Sequence, residues 1–355
     1  MSRPLRHDQV PLENTTEVHI YQRMCRGEYL MAEARSQYIE DDITGQIICL
    51  QRRQQFIRRL NDIQQQYPVQ LLAYAVLNNH FHLCLIWQPD LVNNWSNEQI
   101  ARRWWNLHPQ GKTDACKQRY IEKWTHDENW QQTHRKKFKD IGFFNKDLKQ
   151  GLAQKWNAED NVNGPVFNKH YGCQIIENES QRLSTMAYIE LNEYRAKITD
   201  FPENASYSSF KYRQKYLQWL DKHKTAIAEN PNLQALAKLD DLFEEHMLGV
   251  EVEPAQFFIN FMDRASRIIR PGKQHIPQHI PHMLKRLQSN PNIKRKPDNQ
   301  QLSNQQKPAS LRTHKKDNAQ SKTNWLKTVA NSLRHIKYLA SKHGHGSLID
   351  EPQSG

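Results

Sequence analysis

The chain has 355 residues, a formal net charge of +12 at pH 7 and only 37% hydrophobic residues. This length suggests two units, or one unit with a large extension, and the low apolar content predicts that only part of the chain forms a buried core. The longest uninterrupted apolar run, 71–77, is too short to cross a bilayer, and residues 1–7 lack the apolar centre of a secretory signal. We therefore expect a cytoplasmic protein without a membrane span.

The positive charge is concentrated near the C-terminus. From residue 264 onward Lys and Arg exceed Asp and Glu by more than the net charge of the whole chain, so residues 1–263 are slightly acidic. Residues 264–355 are also rich in Gln, Asn and Pro, which predicts a mostly disordered basic tail that attracts nucleic acid. A linker that is merely soluble would have the same composition. Helical apolar spacing predicts one short helix at 325–341.

The N-terminal part of the chain predicts strands and one helix. Polar and apolar residues alternate over 17–24, which favours a strand. Apolar residues at helical spacing over 47–66 predict an amphipathic helix that ends before Pro68. Two apolar stretches, 69–77 and 81–87, flank Asn78-Asn79, and they predict a β-hairpin because Asn tolerates the positive φ of a tight turn.

The following residues predict more helix, a strand and a final helix. Residues 93–160 are rich in Trp and mixed charge, which is typical of packed helices. A strand is predicted over 166–176, and Asn178 is a good N-cap for a helix that runs to about Lys197. A further helical extension is predicted over 216–263. This order of elements predicts an α+β fold.

Two histidines are candidates for metal ligands. Along the strand after the hairpin turn, His80 and His82 are two residues apart, so both side chains lie on one face of the sheet. That spacing suits two ligands of one divalent cation, and two purely structural histidines would show the same pattern. The tail contains the same pattern in His343-Gly344-His345, where nothing rigid is expected to orient it.

The helix after Asn178 carries two further polar candidates. Tyr188 and Asn192 are four residues apart, so a phenol and an amide oxygen share one helix face. Tyr194 lies six residues from Tyr188, on another side of the helix. A half-buried tyrosine with only a packing role is the alternative interpretation of Tyr188.

Together these segments resemble the single-tyrosine HUH transposases, specifically the REP-associated tyrosine transposase branch. The segment 77–83 resembles that family's MPNHVHLL motif, and 187–196 resembles its YIxLNPVRA motif. Three further matches keep the family's order: Tyr21-Gln22-Arg23; Asn157-Ala158-Glu159-Asp160 with Gly164 and Phe167; and Tyr207-Ser208-Ser209. The resemblance covers 15–215, with 93–160 as an insertion, and does not include the tail.

The resemblance implies a ferredoxin-like antiparallel sheet with helices, and an enzyme that cleaves and rejoins DNA. His80, His82 and Asn192 would bind a divalent Mg or Mn ion, and Tyr188 would be the nucleophile that forms a 5′-phosphotyrosine. The implied partner is single-stranded DNA with hairpin-forming repeats, and relatives act either as monomers or as homodimers. For DNA contacts the basic candidates are Arg23, Lys169, His170, Arg195 and Lys197.

The sequence departs from the family at three places. Glu193-Tyr194 replaces Pro-Val, and residues 166–171 replace an aromatic and acidic segment, so we expect local packing or hairpin contacts to differ. Leu77-Asn78 replaces Met-Pro before the histidines, which we expect to affect only the local turn. Two other functions stay open. One is a non-catalytic nucleic-acid-binding protein on the same scaffold, and the other is a phosphoesterase that uses His80 and His82 as acid and base.

Overall fold

The computed structural model describes residues 10, 13–25, 29–32, 36–40, 47–214, 254–269 and 272–289. The chain divides into two compact units, 1–237 and 238–355. The predicted helix at 325–341, the two tail histidines and most of the predicted extension 216–263 lie outside the described residues. Within the described ranges, no helix is both long and apolar enough to cross a membrane.

The described part of the first unit contains six strands and seven α-helices. The strands are β1 (Thr16–Arg23), β2 (Ser36–Glu40), β3 (Ile47–Gln51), β4 (Val69–Val76), β5 (His80–Trp87) and β6 (Gly172–Ile176). The helices are α1 (Arg52–Gln64), α2 (Asn97–Leu107), α3 (Asp114–His126), α4 (Glu128–Phe138), α5 (Ile141–Asp160), α6 (Glu179–Glu190) and α7 (Asn192–Arg195).

The central sheet has four antiparallel strands in the spatial order β4-β5-β1-β6, and β2 and β3 form a separate ribbon. The mixture of this sheet with helices confirms the predicted α+β class. Most residues of β4 and β5 are buried because helices cover both faces of the sheet. Phe56 of α1 packs on Phe81, and Phe144 of α5 packs on Trp87, with ring centroids 4.6 and 5.8 Å apart. Helix α6 packs on the opposite face, against β4 and β5.

The predicted hairpin forms, but the expected reason for its two asparagines is wrong. Neither Asn78 nor Asn79 has a positive φ. Instead their backbone carbonyls accept hydrogen bonds from the segment after β1. Asn79 O accepts from the Met24 amide at 2.7 Å, and Asn78 O accepts from the Met31 amide at 2.9 Å. The turn is thus held by contacts from outside the hairpin and by the Leu77 amide, which donates to His80 O at 2.9 Å within it.

Two predicted elements have different bounds. The first residues of the predicted helix 47–66 form β3, because a run of apolar and β-branched residues favours an extended strand that can pair with β2. Helix α1 then begins with a capping box between Gln51 and Gln54. The predicted strand 166–176 is regular only in β6, with an isolated bridge at Phe167, and Lys169 and His170 between them are exposed.

The Trp-rich insertion is helical, as predicted, and its indoles pack. Trp105, Trp124 and Trp156 are buried. Three partly buried indoles contact the main core: Trp95, Trp104 and Trp130. Trp105 and Trp124 also form a small second core with Ala101 and Ile121.

The described part of the second unit contains α8 (Pro254–Ser266) and α9 (Met283–Ser289). Helix α8 crosses the boundary predicted at 263/264, and α9 lies within the predicted tail. The buried carboxylate of Asp263 joins these helices, because it accepts from Arg267 Nε at 2.7 Å and from the Met283 amide at 2.9 Å.

Candidate active site

Two neighbouring strands place four ring side chains on the sheet face that α6 covers. His80 and His82 of β5 have ring centroids 5.0 Å apart. Tyr21 and His19 of β1 are on the same face, since Tyr21 is directly opposite His82 in the antiparallel register. The ring centroid of His82 is 5.2 Å from that of His19 and 5.9 Å from that of Tyr21. His82 is therefore the centre of this group, which we call the imidazole cluster.

Hydrogen bonds orient both imidazoles of β5. His80 Nδ1 lies 2.6 Å from Asn79 Oδ1, and because an amide oxygen can only accept, Nδ1 carries the hydrogen. In the neutral ring the lone pair of His80 is then on Nε2. His82 Nδ1 lies 3.0 Å from Nε2 of His19 in a buried contact, so one of these two nitrogens donates and the other accepts.

Helix α6 brings Tyr188 to the imidazole cluster. The phenol ring stands edge-on to His82, with ring centroids 5.7 Å apart, and lies 6.2 Å from the ring of His19. Its chain neighbours Ala187 and Ile189 are buried, whereas Tyr188 keeps partial exposure. The phenol and the two β5 histidines, which are more than a hundred positions apart in sequence, are thus close in space.

The sequence predicted one continuous helix that carries both Tyr188 and Asn192, but Asn192 begins a separate helix. Helix α6 ends at Glu190, Leu191 has φ −84° and ψ 0°, and α7 begins at Asn192. Tyr188 and Asn192 therefore belong to two consecutive helical segments. Asn192 is half-buried. Its participation in a metal site remains a prediction.

The predicted metal ligands differ in how well their donor atoms suit Mg²⁺ and Mn²⁺. His80, His82 and Asn192 offer two imidazole nitrogens and one amide oxygen. Within the described ranges, no group of three or more His, Cys, Asp or Glu side chains is placed to hold a metal. In a cation bound by these three groups, phosphate or water oxygens would complete the coordination. Imidazole suits Zn²⁺, Cu²⁺, Fe²⁺ and Ni²⁺, whereas Mg²⁺ and Mn²⁺ prefer oxygen, so the two imidazoles do not distinguish Mg²⁺ from Mn²⁺.

A buried ion pair fixes the end of α6, two residues beyond Tyr188. The carboxylate of Glu190 is fully buried and accepts from Arg213 Nε at 2.6 Å and from Ser209 Oγ at 2.5 Å. Burial raises the pKa of Glu190, and the guanidinium and the hydroxyl oppose that shift. Ser209 Oγ also accepts from the Tyr74 amide of β4 at 3.0 Å. This network ties the helix that carries Tyr188 to the sheet.

The Tyr207-Ser208-Ser209 motif has a structural role in this chain. It runs along the outer edge of β4, where Val76 N donates to Tyr207 O and Ser209 N donates to Tyr74 O, both at 2.9 Å. The buried carboxylate of Glu193 holds the start of this segment by accepting from the Tyr207 amide at 2.7 Å. Glu193, which departs from the family pattern, thus fixes α7 to the edge of the sheet.

The Glu159-Asp160 pair of another motif is also structural. Arg52, at the start of α1 and almost fully buried, donates to Asp160 at 2.7 Å and to Glu159 at 3.2 Å. Its guanidinium also donates to the carbonyls of Leu30 and Trp156. These contacts join the end of α5 to the start of α1, on the side of the sheet opposite Tyr188.

Three of the five predicted DNA contacts are exposed near one end of the sheet. Arg23, Lys169 and His170 are exposed, and Arg23 is paired with His80 in the register. The Asn168 amide donates to Arg23 O at 3.0 Å, which places Lys169 beside the end of β1. These three side chains are thus exposed at the end of the sheet that carries His80.

The other two predicted DNA contacts, Arg195 and Lys197, lie at the end of α7. Arg195 is buried, with 5% exposure, so it is not the surface contact that the sequence predicted. Lys197 is exposed and has φ 59°. Its amide donates to Tyr194 O and the Ile198 amide donates to Glu193 O, both at 3.0 Å, which is the Schellman pattern that ends α7.

A basic cleft opens between α5 and the segment 164–171. It has a volume of about 460 Å³, and its walls include Lys146, Lys149 and Lys169. Lys149 Nζ lies 5.7 and 5.8 Å from the ring centroids of Phe167 and Tyr171. A groove lined by cations is one of the two features that proteins combine to bind single-stranded nucleic acid, the other being rings on which bases stack.

His19 lies inside the imidazole cluster, although no role was predicted for it from the sequence. A signal was present, because His19 and Tyr21 repeat on β1 the two-residue period of His80 and His82 on β5. What the sequence lacked was the register that sets these two strands side by side.

Comparisons with known proteins give one structural likeness. No protein-family model matches the chain, and no curated protein matches it. It is similar to a solved structure of a REP-associated tyrosine transposase bound to a REP hairpin. The identity is 11%, the TM-score is 0.31, and the match covers 60% of this chain and 85% of the other.

Proposed function

We propose that this chain is a metal-dependent enzyme that cleaves and rejoins single-stranded DNA, with Tyr188 as its nucleophile. The observation that carries the proposal is the position of the Tyr188 ring, edge-on to His82 at 5.7 Å between centroids. The sheet order β4-β5-β1-β6, with α1 and α5 on the other face, supports a ferredoxin-like arrangement. The motif resemblance at 77–83 and 187–196 adds support from the sequence.

The proposed reaction is a reversible transfer of a phosphodiester. Tyr188 Oη, after losing its proton to a base or to solvent, attacks phosphorus, and the bond from phosphorus to the 3′ oxygen breaks. The leaving 3′ oxygen takes up a proton, and the 5′ phosphate stays on the tyrosine. A phenolate is also a fair leaving group, so the 3′-OH of another strand can reverse the step without ATP.

The metal would be held by His80, His82 and Asn192, and when bound it would polarise the phosphate and offset the charge that builds in the transition state. The Asn79 carboxamide supports this role, because it sets the lone pair of His80 on Nε2. Tyr188 and His82 approach each other within one chain, which supports action of the tyrosine in cis.

The proposed substrate is single-stranded DNA with hairpin-forming repeats. Arg23, Lys169 and His170 are exposed at the end of the sheet that carries His80. The lysine-lined cleft beside α5 continues from Lys169 and offers a positive groove for the backbone. The basic tail would add sequence-independent affinity that falls with salt.

A covalent-adduct assay tests the proposal. Full-length protein is incubated with Mn²⁺ and end-labelled hairpin oligonucleotides, and adducts are counted on denaturing gels. We expect an adduct that chelator prevents and that Tyr188→Phe lacks. Tyr212→Phe, a matched loss of one hydroxyl outside the imidazole cluster, is expected to keep it. An adduct that persists in Tyr188→Phe would refute the assignment of Tyr188 as the nucleophile.

A second candidate function is structure-specific nucleic-acid binding without catalysis. The cleft beside α5 favours it, because its lysines need neither metal nor Tyr188 to bind a strand. This function predicts hairpin binding that is unaffected by chelator and by His80→Ala, together with no cleavage in Mn²⁺ or Mg²⁺. The adduct assay therefore separates the two candidates.

A further inference from the structure

We infer that His19 is a positioning residue that holds His82 in the tautomer able to bind a metal through Nε2. The inference rests on the proposed function, because it concerns the same imidazole cluster. His19 is not part of the predicted site and lies on a different strand from both β5 histidines. Its Nε2 lies 3.0 Å from His82 Nδ1.

The contact permits two tautomer arrangements, and only one suits a ligand. If His19 Nε2 donates, His82 accepts on Nδ1 and carries its hydrogen on Nε2, so Nε2 has no lone pair. If His82 Nδ1 donates, the lone pair of His82 is on Nε2 and His19 accepts. A metal-binding histidine usually donates its other ring nitrogen to a partner that fixes its tautomer and orientation. His19 provides that partner for His82.

His80 shows the same arrangement with a different partner. Its Nδ1 donates to Asn79 Oδ1, which leaves the lone pair on Nε2. With His19 as acceptor, both β5 histidines would present the same nitrogen, each through a hydrogen bond at Nδ1. Two matched imidazoles are what a shared cation requires.

The surroundings keep the two rings in contact. His19 and His82 are 7% and 6% exposed, so water competes little for their hydrogen bond. The rings are close to parallel, at 24°, with centroids 5.2 Å apart. Tyr21 and Tyr188 also contact both rings, which limits their rotation.

Three variants of the full-length protein separate a positioning role from simple packing. His19→Leu removes the acceptor, whereas His19→Gln keeps one, because its Oε1 can reach the place of His Nε2. Cys84→Ala is the matched control, since Cys84 is buried directly opposite His19 in the register and lies on the same face. Mn²⁺ affinity is measured by calorimetry without DNA, and long-range ¹H–¹⁵N spectra of the metal-free protein report the tautomer of His82.

We expect His19→Leu to weaken Mn²⁺ binding by about 10- to 100-fold, the usual effect of losing such a partner. The wild-type spectrum should show His82 protonated on Nδ1, His19→Gln should recover most of the affinity, and Cys84→Ala should leave it unchanged. Unchanged affinity in His19→Leu, or His82 protonated on Nε2 in the wild type, would overturn the inference. Wild-type affinity in His80→Ala and His82→Ala would instead overturn the proposed metal site itself.

Discussion

The described residues include two clusters of histidine and aromatic rings, and the hydrogen bonds of these clusters differ. In the helical insertion, His134 is stacked on Trp130 with centroids 3.8 Å apart, and it lies 4.2 Å from Trp104. Its Nδ1 bonds to Trp130 O at 2.7 Å and its Nε2 lies 3.2 Å from Lys137 Nζ. Both nitrogens are thus committed inside the insertion, and burial lowers the pKa of His134 to about 4.

The rings of the imidazole cluster on the sheet are spaced more widely. Their contacting centroids are 5.0 to 5.9 Å apart, and the hydrogen bonds described above join His80 to Asn79 and His82 to His19. The two clusters thus combine similar residue types with different ring spacing and different hydrogen-bond partners.

The largest expected effect concerns the support of Tyr188. Arg213→Met removes the partner of the buried Glu190, so we expect the free energy of unfolding to fall by about 3–5 kcal/mol. Urea denaturation followed by circular dichroism measures it. The control is Arg102→Ala, which breaks the exposed pair with Glu98 and should cost at most about 1 kcal/mol. Equal losses in the two variants would show that the Glu190 pair does not anchor α6.

The second largest effect is expected on the rate of adduct formation, and it should differ between one histidine of each cluster. His82→Ala should reduce the rate of adduct formation at least about 100-fold, the scale for losing one preorganised contact to a transition state. His134→Gln should keep the wild-type rate, since it alters only packing in the insertion. Single-turnover adduct assays with Mn²⁺ measure both rates. A comparable loss in the two variants would remove the distinction between the clusters.

The features of the site that come from local sequence patterns were predicted, and those that come from contacts between distant segments were not. The two-residue period placed His80 and His82 on one face, and the helix after Asn178 was predicted, because both are local patterns. The break at Leu191, the His19–His82 bond and the Glu190–Arg213 pair were not. Each of these depends on segments that are distant in sequence and meet only through the register of the sheet or the path of the chain after α7.

A smaller effect is expected for the cleft. Replacing Lys146 and Lys169 together by Ala should weaken hairpin binding and reduce the salt slope by about 0.7 for each lost phosphate contact. Lys155→Ala is the matched control, because Lys155 is exposed on α5 but does not line the cleft. Fluorescence anisotropy over a series of salt concentrations measures the slopes. The same slope in all three proteins would exclude the cleft from the DNA-binding surface.

The smallest effect is a pH dependence of the insertion. The pKa of His134 is about 4 in the folded protein, below its ordinary value of 6.5, so the unfolded chain binds more protons between these values. Stability should therefore fall as the pH is lowered from 6.5 toward 4. Tryptophan fluorescence during urea denaturation follows this change. His134→Gln should flatten the dependence, and an unchanged slope in that variant would assign it to other groups.

The central claim, that Tyr188 is the residue that joins to DNA, is tested most directly by mapping the adduct. Wild-type protein that has reacted with a hairpin oligonucleotide in Mn²⁺ is digested with nuclease and protease, and tandem mass spectrometry locates the remaining nucleotide. The account predicts a phosphodiester on the peptide that contains Tyr188 and on no other tyrosine. A nucleotide on Tyr21 or Tyr171, or no modified peptide at all, would contradict it.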